Sequence, residues 1–520
     1  MNSPAKPFRR ITVFDTTLRE GDQAAGFAFT PAHKLNMARA LAAAGVDIIE
    51  TGFPLSNQSD FAVCRQAACE LAGRTAVMCR CIPEEIRRSA EVFAGGVPGV
   101  LHLSLPVSNI HITAKLQKTE TEILAMVRET VSFAAGLVSR VEMGAEDASR
   151  ADRTFLREYC ETALDAGAHI INIADTLGLF APEEIRDLIL FLHKKIPRLN
   201  SDATGSGPIL SVHCHNDLGL ACANTLAALE AGCGQAEVSV MGLGERAGNA
   251  ALEELAANLA ARPELHRTTT GILPEKLGAL IRLSSEAMGS GLSPMKPLCG
   301  WNTRAHGSGI HQQGLMKNAE TYSPALLERW SAVPERIVLS RHSGQSGVAL
   351  LARRFCALEL DDTVLARICA HLKDEAFSGT LGITEFLCLI SDMKLLPPDV
   401  PKPLVCRAFS ETLTDDGTAS RVRINAAVAA YGSREPEQEL TGEGATAAEA
   451  TLATLRSIHA DSLGFRQTVL NGYGDRVHLY TEITTTGTAG EEKLYAIERT
   501  GTSPALLLIR CCLDVINANR

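Results

Sequence analysis

The chain has 520 residues, too many for one ordinary domain, so two or three are expected. Hydrophobic residues make up 46% and charged residues 21%, a balance that excludes a disordered or fibrous chain. A formal net charge of −10 argues against nucleic acid or an anionic membrane surface as the main partner. The opening MNSPAKPFRR leads into no apolar core of the kind a signal peptide carries, and no uninterrupted apolar run reaches about 18 residues. Fifteen cysteines are scattered through apolar segments without a framework spacing, which predicts reduced, buried thiols in a cytoplasmic protein.

In chain order, short apolar runs occur at ITVFDTTL (11–18), DIIETGF (47–53), TAVMCRC (75–81) and VLHLSLPVS (100–108). Four more follow at RVEMGAED (140–147), HIINIADT (169–176), ILSVHCHND (209–217) and AEVSVMGLG (236–244). Between them lie stretches with helical spacing, among them 33–45, 120–136, 153–167, 216–232 and 249–262, several ending in the helix-stopping Gly. Eight strands alternating with helices over about 250 residues predict a (β/α)8 TIM barrel across 1–270; an open doubly wound sheet uses the same alternation. Polar residues at the C-terminal strand ends favour the barrel, whose active sites gather at that mouth. They are Arg19 and Glu20, Glu50, Arg80, His111, Glu146, Thr176, the His213/His215 pair and Asn249, one group for each strand in turn.

From 271 to 398 the pattern becomes mainly helical, with loops such as CGWNTRAHGSGIHQQG (299–314), and reads as a linker region. A proline-rich break, LLPPDVPKP (395–403), separates it from an α+β C-terminal domain at 402–520. There SRVRINAAVAAY (420–431) and RVHLYTEITTT (476–486) alternate as strands do. Segments 441–458 and 499–516 each pair a Gly-containing turn with an amphipathic helix, which suggests a duplicated unit. This tail holds no metal-type cluster, so assembly or regulation suits it better than catalysis.

On a strand, His213 and His215 share a face and Cys214 points away, so the run HCH is a His-x-His pair rather than a three-ligand cluster. Further ligands must come from other strand ends. Asn249 offers an amide oxygen, and DTTLREGDQ (15–23) offers Asp15, Glu20 and Asp22. Two imidazoles, one carboxylate and one amide oxygen would leave room for substrate at a divalent ion, and such mixed N/O ligation suits Mn, Mg, Zn or Co.

The segments DTTLREGDQ, ETGFP (50–54), HCHNDLG (213–219) and GLGERAGN (242–249) are similar to the signatures of the DRE-TIM metallolyases. Within them the chain resembles the 2-isopropylmalate synthase and homocitrate synthase family, and the former most. The likeness continues through SNIHITAKL (108–116), AEDASRAD (145–152), ADTLG (174–178), GSGIHQQGLMKNAETY (307–322) and RHSGQSGV (341–348) into the C-terminal region. It implies an acyltransferase that joins acetyl-CoA to a 2-oxo acid with a divalent metal, Mn or Mg favoured. Glu20, His213, His215 and Asn249 are the implied ligands, and Asp15 is left to support its loop. Arg19 is the implied group that polarises the keto carbonyl. His311 and Tyr322, on or beside a loop, are the implied pair that serves the acetyl proton. A homodimer follows from the same likeness, with a leucine-type effector site in the regulatory C-terminal domain.

For substrate choice, the resemblance points to Thr176 for the keto-acid carboxylate and to His111, Gly144, Arg80 and Glu146 as pocket residues. Glu142 stands where homocitrate synthases carry arginine, and would repel a dicarboxylate if it faced the pocket. Gly144 is small, which leaves space for a branched chain and favours 2-oxoisovalerate over pyruvate or 2-oxoglutarate. The chain departs from the usual pattern at Glu20 (for Asp), at HQQG (for HQDG), at MGAED (for FSPED) and at GTSPALLLI (501–509), where leucine-regulated relatives carry an acidic residue. Two further readings are a metal-dependent acyl-CoA lyase, which the lack of a cysteine in GLGERAGN opposes, and a non-catalytic effector-binding barrel, which the full ligand set opposes.

Overall fold

A computed structural model describes residues 8–518 apart from 28, 200–206, 288–292, 301, 334, 357, 375–380, 382, 397–402, 416–419, 431–437, 445, 456–462, 474–475, 487–491 and 502–503. Most of the proline-rich break therefore lies outside the described residues. The chain divides into two compact units, 1–289 and 290–520.

In the first unit the eight expected strands form β1 (Thr12–Asp15), β2 (Ile48–Glu50), β3 (Thr75–Arg80) and β4 (Val100–Pro106), followed by β5 (Arg140–Glu146), β6 (Ile170–Asp175), β7 (Ile209–Cys214) and β8 (Gln235–Val238). They close into a parallel barrel in sequence order, with β8 paired back to β1, so the open-sheet reading falls. Each strand is apolar on its outward side, where Leu101, Leu103, Val141, Met143, Ile171, Ile173, Leu210 and Val212 are almost wholly buried. After a single turn at the mouth, α1 (Thr17–Glu20), helices cover that side: α2 (Pro31–Ala43), α3 (Gln58–Glu70), α4 (Pro83–Ala90), α5 (Glu120–Ala135), α6 (Arg153–Asp165), α7 (Pro182–Lys195), α8 (Ala221–Ala231) and α9 (Leu252–Ala261). The local sequence starts them where expected. Thr30 caps α2 ahead of Pro31, Thr119 and Glu122 form a capping box on α5, and Asp152 accepts two backbone N–H bonds at α6. The helix read from 216 starts only at Ala221, because Asn216 Oδ1 accepts the Ala221 N–H and the residues before it turn at the barrel mouth.

The second unit begins with α10 (Gly309–Lys317), α11 (Ala325–Trp330), α12 (Gln345–Cys356), α13 (Asp362–Leu372) and α14 (Ile383–Asp392), and Leu339, Val348, Ile368, Leu372, Phe386 and Ile390 join in one buried cluster. The tail then repeats one plan twice. Strands β9 (Leu404–Asp415), β10 (Ser420–Ala430) and β11 (Gln438–Gly444) form an antiparallel sheet followed by α15 (Ala447–Leu455). Strands β12 (Leu463–Tyr473), β13 (Arg476–Thr486) and β14 (Glu492–Gly501) do the same ahead of α16 (Pro504–Ala518). The duplicated unit read from the sequence is thus the last part of a larger βββα repeat. Among the described residues no helix is long and apolar enough to cross a membrane, and the described cysteines are free thiols.

Gly45, just after α2, has φ +91, and a Cβ there would sit 1.9 Å from the Gly271 carbonyl oxygen. Both the left-handed backbone and the close approach exclude a side chain. Gly45→Ala should therefore destabilise the protein by about 2–4 kcal/mol, read as a lower midpoint in urea; an unchanged midpoint would contradict this packing.

Candidate active site

At the C-terminal end of the barrel lies a cavity of about 260 Å³, lined by Arg19, Glu20, Arg80, Gly144, Glu146, Thr176, His213 and His215 among others. Four strands bring inward-facing residues two apart to its wall: His102 and Ser104, Gly144 and Glu146, Asn172 and Ala174, His213 and His215. Phe53, Met78, Cys79 and Ala174 supply apolar lining.

Arg19 and Glu20 sit on α1, a single turn that carries the chain off β1. Asp15 fixes that turn by accepting from the Thr17 N–H and hydroxyl, each at 3.0 Å. This is the supporting role expected of it, and burial pushes its carboxyl up to about 7. Asp22 is drawn away from the cavity by Lys34 at 2.7 Å, so of Asp15, Glu20 and Asp22 only Glu20 faces the imidazoles. Arg19 is 7% exposed, donates to Glu50 Oε2 at 2.7 Å, and pairs with Glu20. Burial works against the charge on Glu20, but its neighbours, Arg19 foremost, outweigh it and hold the carboxyl below its usual range.

Glu20, His213 and His215 each present a donor atom within 4.8 Å of the others, and all three residues are buried. The two Nε2 atoms are 3.3 Å apart, and His213 Nε2 is 3.6 Å from Glu20 Oε1. Burial lowers each imidazole to about 4, so both are neutral at neutral pH and can offer a lone pair. Asn249 is joined to His215 by a backbone bridge. Its Oδ1 is a buried acceptor without a hydrogen-bond partner, and its Nδ2 donates to the Leu243 carbonyl. An unsatisfied amide oxygen on the residue bridged to His215, together with two imidazoles and a carboxylate, is a donor set whose chemistry fits a divalent cation. The loop that carries Asn249 leaves it little freedom: a Cβ on Gly244 would lie 2.6 Å from Asn249 Nδ2, and one on Gly248 would lie 2.0 Å from the Gly242 oxygen.

The remaining predicted residues fall into two groups. Thr176, Glu146, Arg80 and Gly144 line the cavity. Thr176 Oγ1 accepts from the Asp147 N–H at 2.8 Å, which leaves the hydroxyl proton to donate. A Cβ on Gly144 would meet His102 Nε2 and Ser104 Oγ at 3.2 Å, so glycine here keeps two polar groups in place as well as leaving room. His111, on a π-helical turn (His111–Lys115), is not among the lining residues; it touches Glu146 at 3.1 Å. Arg80 is largely exposed and tied to Glu85.

Two expectations need correction. Glu142 does not line the cavity but is wholly buried in the barrel interior, where burial and the neighbouring Glu237 hold its carboxyl well above the usual range. Buried away from the cavity, it does not face a substrate there. His311 lies on helix α10 rather than in a loop, and its ring stacks on Tyr322 with centroids 4.0 Å apart. Its partner Tyr322 follows a short 3-10 turn (Ala319–Thr321).

The sequence reading passed over His102, Gln235 and Glu237, which join Glu50, Glu142 and His213 inside the barrel. His102 Nδ1 meets Glu50 Oε1 at 2.8 Å, Gln235 Nε2 reaches both Glu142 oxygens, and His213 Nδ1 lies 2.9 Å from Glu237 Oε2. His102 is raised to about 9, since Glu50 outweighs the effect of burial. The signal for these residues was present: single polar residues at two-residue spacing within otherwise apolar strands.

The neutral imidazoles carry a pH dependence. His215 titrates near 6.5 when unfolded and about 4 when folded. Between those values the unfolded chain binds the extra proton, so folding loses stability as pH falls through that window. From pH 6.5 to 5 the chelator-treated wild type should lose on the order of 1–2 kcal/mol more than His215→Gln, measured by denaturant unfolding at both pH values; equal losses would contradict a neutral buried His215.

Comparison with known proteins bears on residues 10–280 and 298–380. The HMGL-like family model matches residues 10–280, and a homocitrate synthase post-HMGL domain-like model matches 298–380. A 2-isopropylmalate synthase of Solidesulfovibrio magneticus is 43% identical over 337 residues, 65% of this chain and 64% of that protein, so the match spans just under two thirds of that relative. The 2-isopropylmalate synthase of Pyrococcus furiosus is 40% identical over 378 residues, 72% of this chain and 74% of its own length. 2-Isopropylmalate synthase 1 of Caldanaerobacter subterraneus subsp. tengcongensis is 40% identical over 347 residues, 66% of this chain and 86% of that protein. With identity at that level running through the barrel and into the region beyond it, the chain belongs to the HMGL-like family, among the 2-isopropylmalate synthases.

Proposed function

We propose that this chain condenses acetyl-CoA with a 2-oxo acid, 2-oxoisovalerate above others, to give 2-isopropylmalate and free CoA. The observation that carries the reading is the convergence of Glu20, His213 and His215 beside the buried Arg19. Glu20, His213, His215 and Asn249 are the residues that would hold a divalent ion, Mn or Mg by preference. When bound, such an ion supplies Lewis-acid polarisation of a keto carbonyl.

The chain's own groups do the rest. Arg19, fixed by Glu50, keeps a positive charge where the alkoxide oxygen develops. The Thr176 hydroxyl, its oxygen already engaged by Asp147 N–H, donates to the substrate carboxylate. His311 and Tyr322 serve the acetyl methyl proton, His311 as base. The carbanion then attacks the keto carbon, and water cleaves the thioester with loss of CoA. Arg80, Glu146, Gly144 and His111 shape the keto-acid pocket and its rim.

The preference for a monocarboxylate rests on charge. Each arginine lining the cavity is already matched by an acid: Arg19 by Glu20 and Glu50, Arg80 by Glu85, and Arg246 by Asp217. A second substrate carboxylate would find no uncommitted cation among these lining residues, whereas Phe53 and Met78 offer apolar surface to a branched chain. The C-terminal region at 402–520 is proposed as the regulatory domain of a cytoplasmic homodimer, with leucine as effector, and 271–398 as the segment that carries His311 and Tyr322.

A panel of 2-oxo acids with free-thiol detection should show 2-oxoisovalerate turned over fastest, and chelator should abolish the signal until Mn or Mg is restored. Faster turnover of pyruvate or 2-oxoglutarate would overturn the substrate assignment. Ending the chain near 402 should abolish any inhibition by leucine while leaving Mn binding intact; inhibition that survives would place the effector site elsewhere.

A further inference from the structure

His213 and His215 differ on the side away from the cluster. His215 Nδ1 is buried without a hydrogen-bond partner, whereas His213 Nδ1 lies 2.9 Å from Glu237 Oε2. Strand register produces this contact, since His213 on β7 is the parallel neighbour of Glu237 on β8. Glu237 is itself fixed. Its Oε1 accepts from Ser211 Oγ at 3.3 Å, and Ser211 Oγ accepts from Gln235 Nε2 at 3.0 Å. The same Gln235 amide reaches Glu142 Oε1 and Oε2 at 2.9 and 3.1 Å. All four residues are essentially buried.

A neutral imidazole has one N–H and one lone pair, and the partner of one nitrogen decides which is which. A carboxylate at Nδ1 keeps the proton there. The lone pair is then on Nε2, the atom that faces His215 Nε2 and Glu20 Oε1. Glu237 is not placed to be a ligand of that cluster: its oxygens group with His102 and Glu142 instead.

We propose that Glu237 is a positioning residue for the cation site. It holds His213 in the Nδ1–H form with Nε2 aimed at Glu20 and His215, and Ser211 and Gln235 hold Glu237 in turn. Carboxylate-to-histidine contacts of this kind orient metal ligands and raise their basicity. The proposal rests on the reading that Glu20, His213 and His215 bind a divalent ion.

The test uses the full-length, chelator-treated chain titrated with Mn2+, with free ion followed by electron paramagnetic resonance. Glu237→Gln should weaken Mn2+ binding about 10–100-fold with an unchanged far-UV spectrum, and Glu237→Asp should recover part of the loss. A folded Glu237→Gln that binds Mn2+ within twofold of wild type overturns the proposal alone. A wild type that binds no Mn2+, or a His213→Gln that binds it as well as wild type does, overturns the site and the proposal with it. If Glu237→Gln does not fold, the wild type decides. With 15N-labelled histidine, the resonance that His213→Gln removes should show a neutral ring protonated on Nδ1, and protonation on Nε2 overturns the proposal.

Discussion

A guanidinium taken out of water is the constraint around which this barrel is arranged. The idealised cost of burying such an ion is large, and only close partners offset it. Arg19 has two, Glu20 on its own turn and Glu50 on the neighbouring strand. Glu50 in turn holds His102, and the pair of cations keeps that carboxyl down at about 2 despite burial. Charge alternates along the chain from Glu20 through Arg19 and Glu50 to His102, so that each group makes the next one tolerable. Removing one member would leave its neighbour buried and unmatched.

That arrangement explains how an interior so polar can coexist with a stable fold. The apolar contribution to stability comes from the outward faces of the strands, sealed under the helices, while the inward faces near the mouth are free to carry acids, amides and imidazoles. The two jobs are separated by the two-residue period of the strand itself. Tyr159 links them: from α6 its hydroxyl reaches the carbonyls of Gly144 and Leu105, so the helical layer also sets the backbone height of the substrate-facing strand.

The fold was legible because its period is regular. Eight apolar runs, each followed by a helix and each ending in a polar residue, specify a barrel and its mouth, and the structure matches those strands to within a few residues. The cluster of Glu20, His213 and His215 was legible for the same reason, since strand ends separated by nearly two hundred positions must meet when the sheet closes. Other features were not. Whether Glu142 faces the cavity depends on depth along the barrel axis, which alternation alone does not report. The choice of Glu20 over Asp22 depends on Lys34, a buried lysine on α2 that pairs with both Asp22 and Asp60. That His311 is helical follows from the turn opened by Ser308 and Gly309, in a segment whose glycines read as loop.

The glycines of the loop after β8 act as a mould. Gly244 and Gly248 bring backbone so close to backbone and to Asn249 that the carboxamide has one place to stand. The chemistry at that corner of the site is thus delegated to vacant volume. Mutational drift there is limited less by loss of a reactive group than by any added atom, so the segment can be silenced by a single methyl group that touches no substrate.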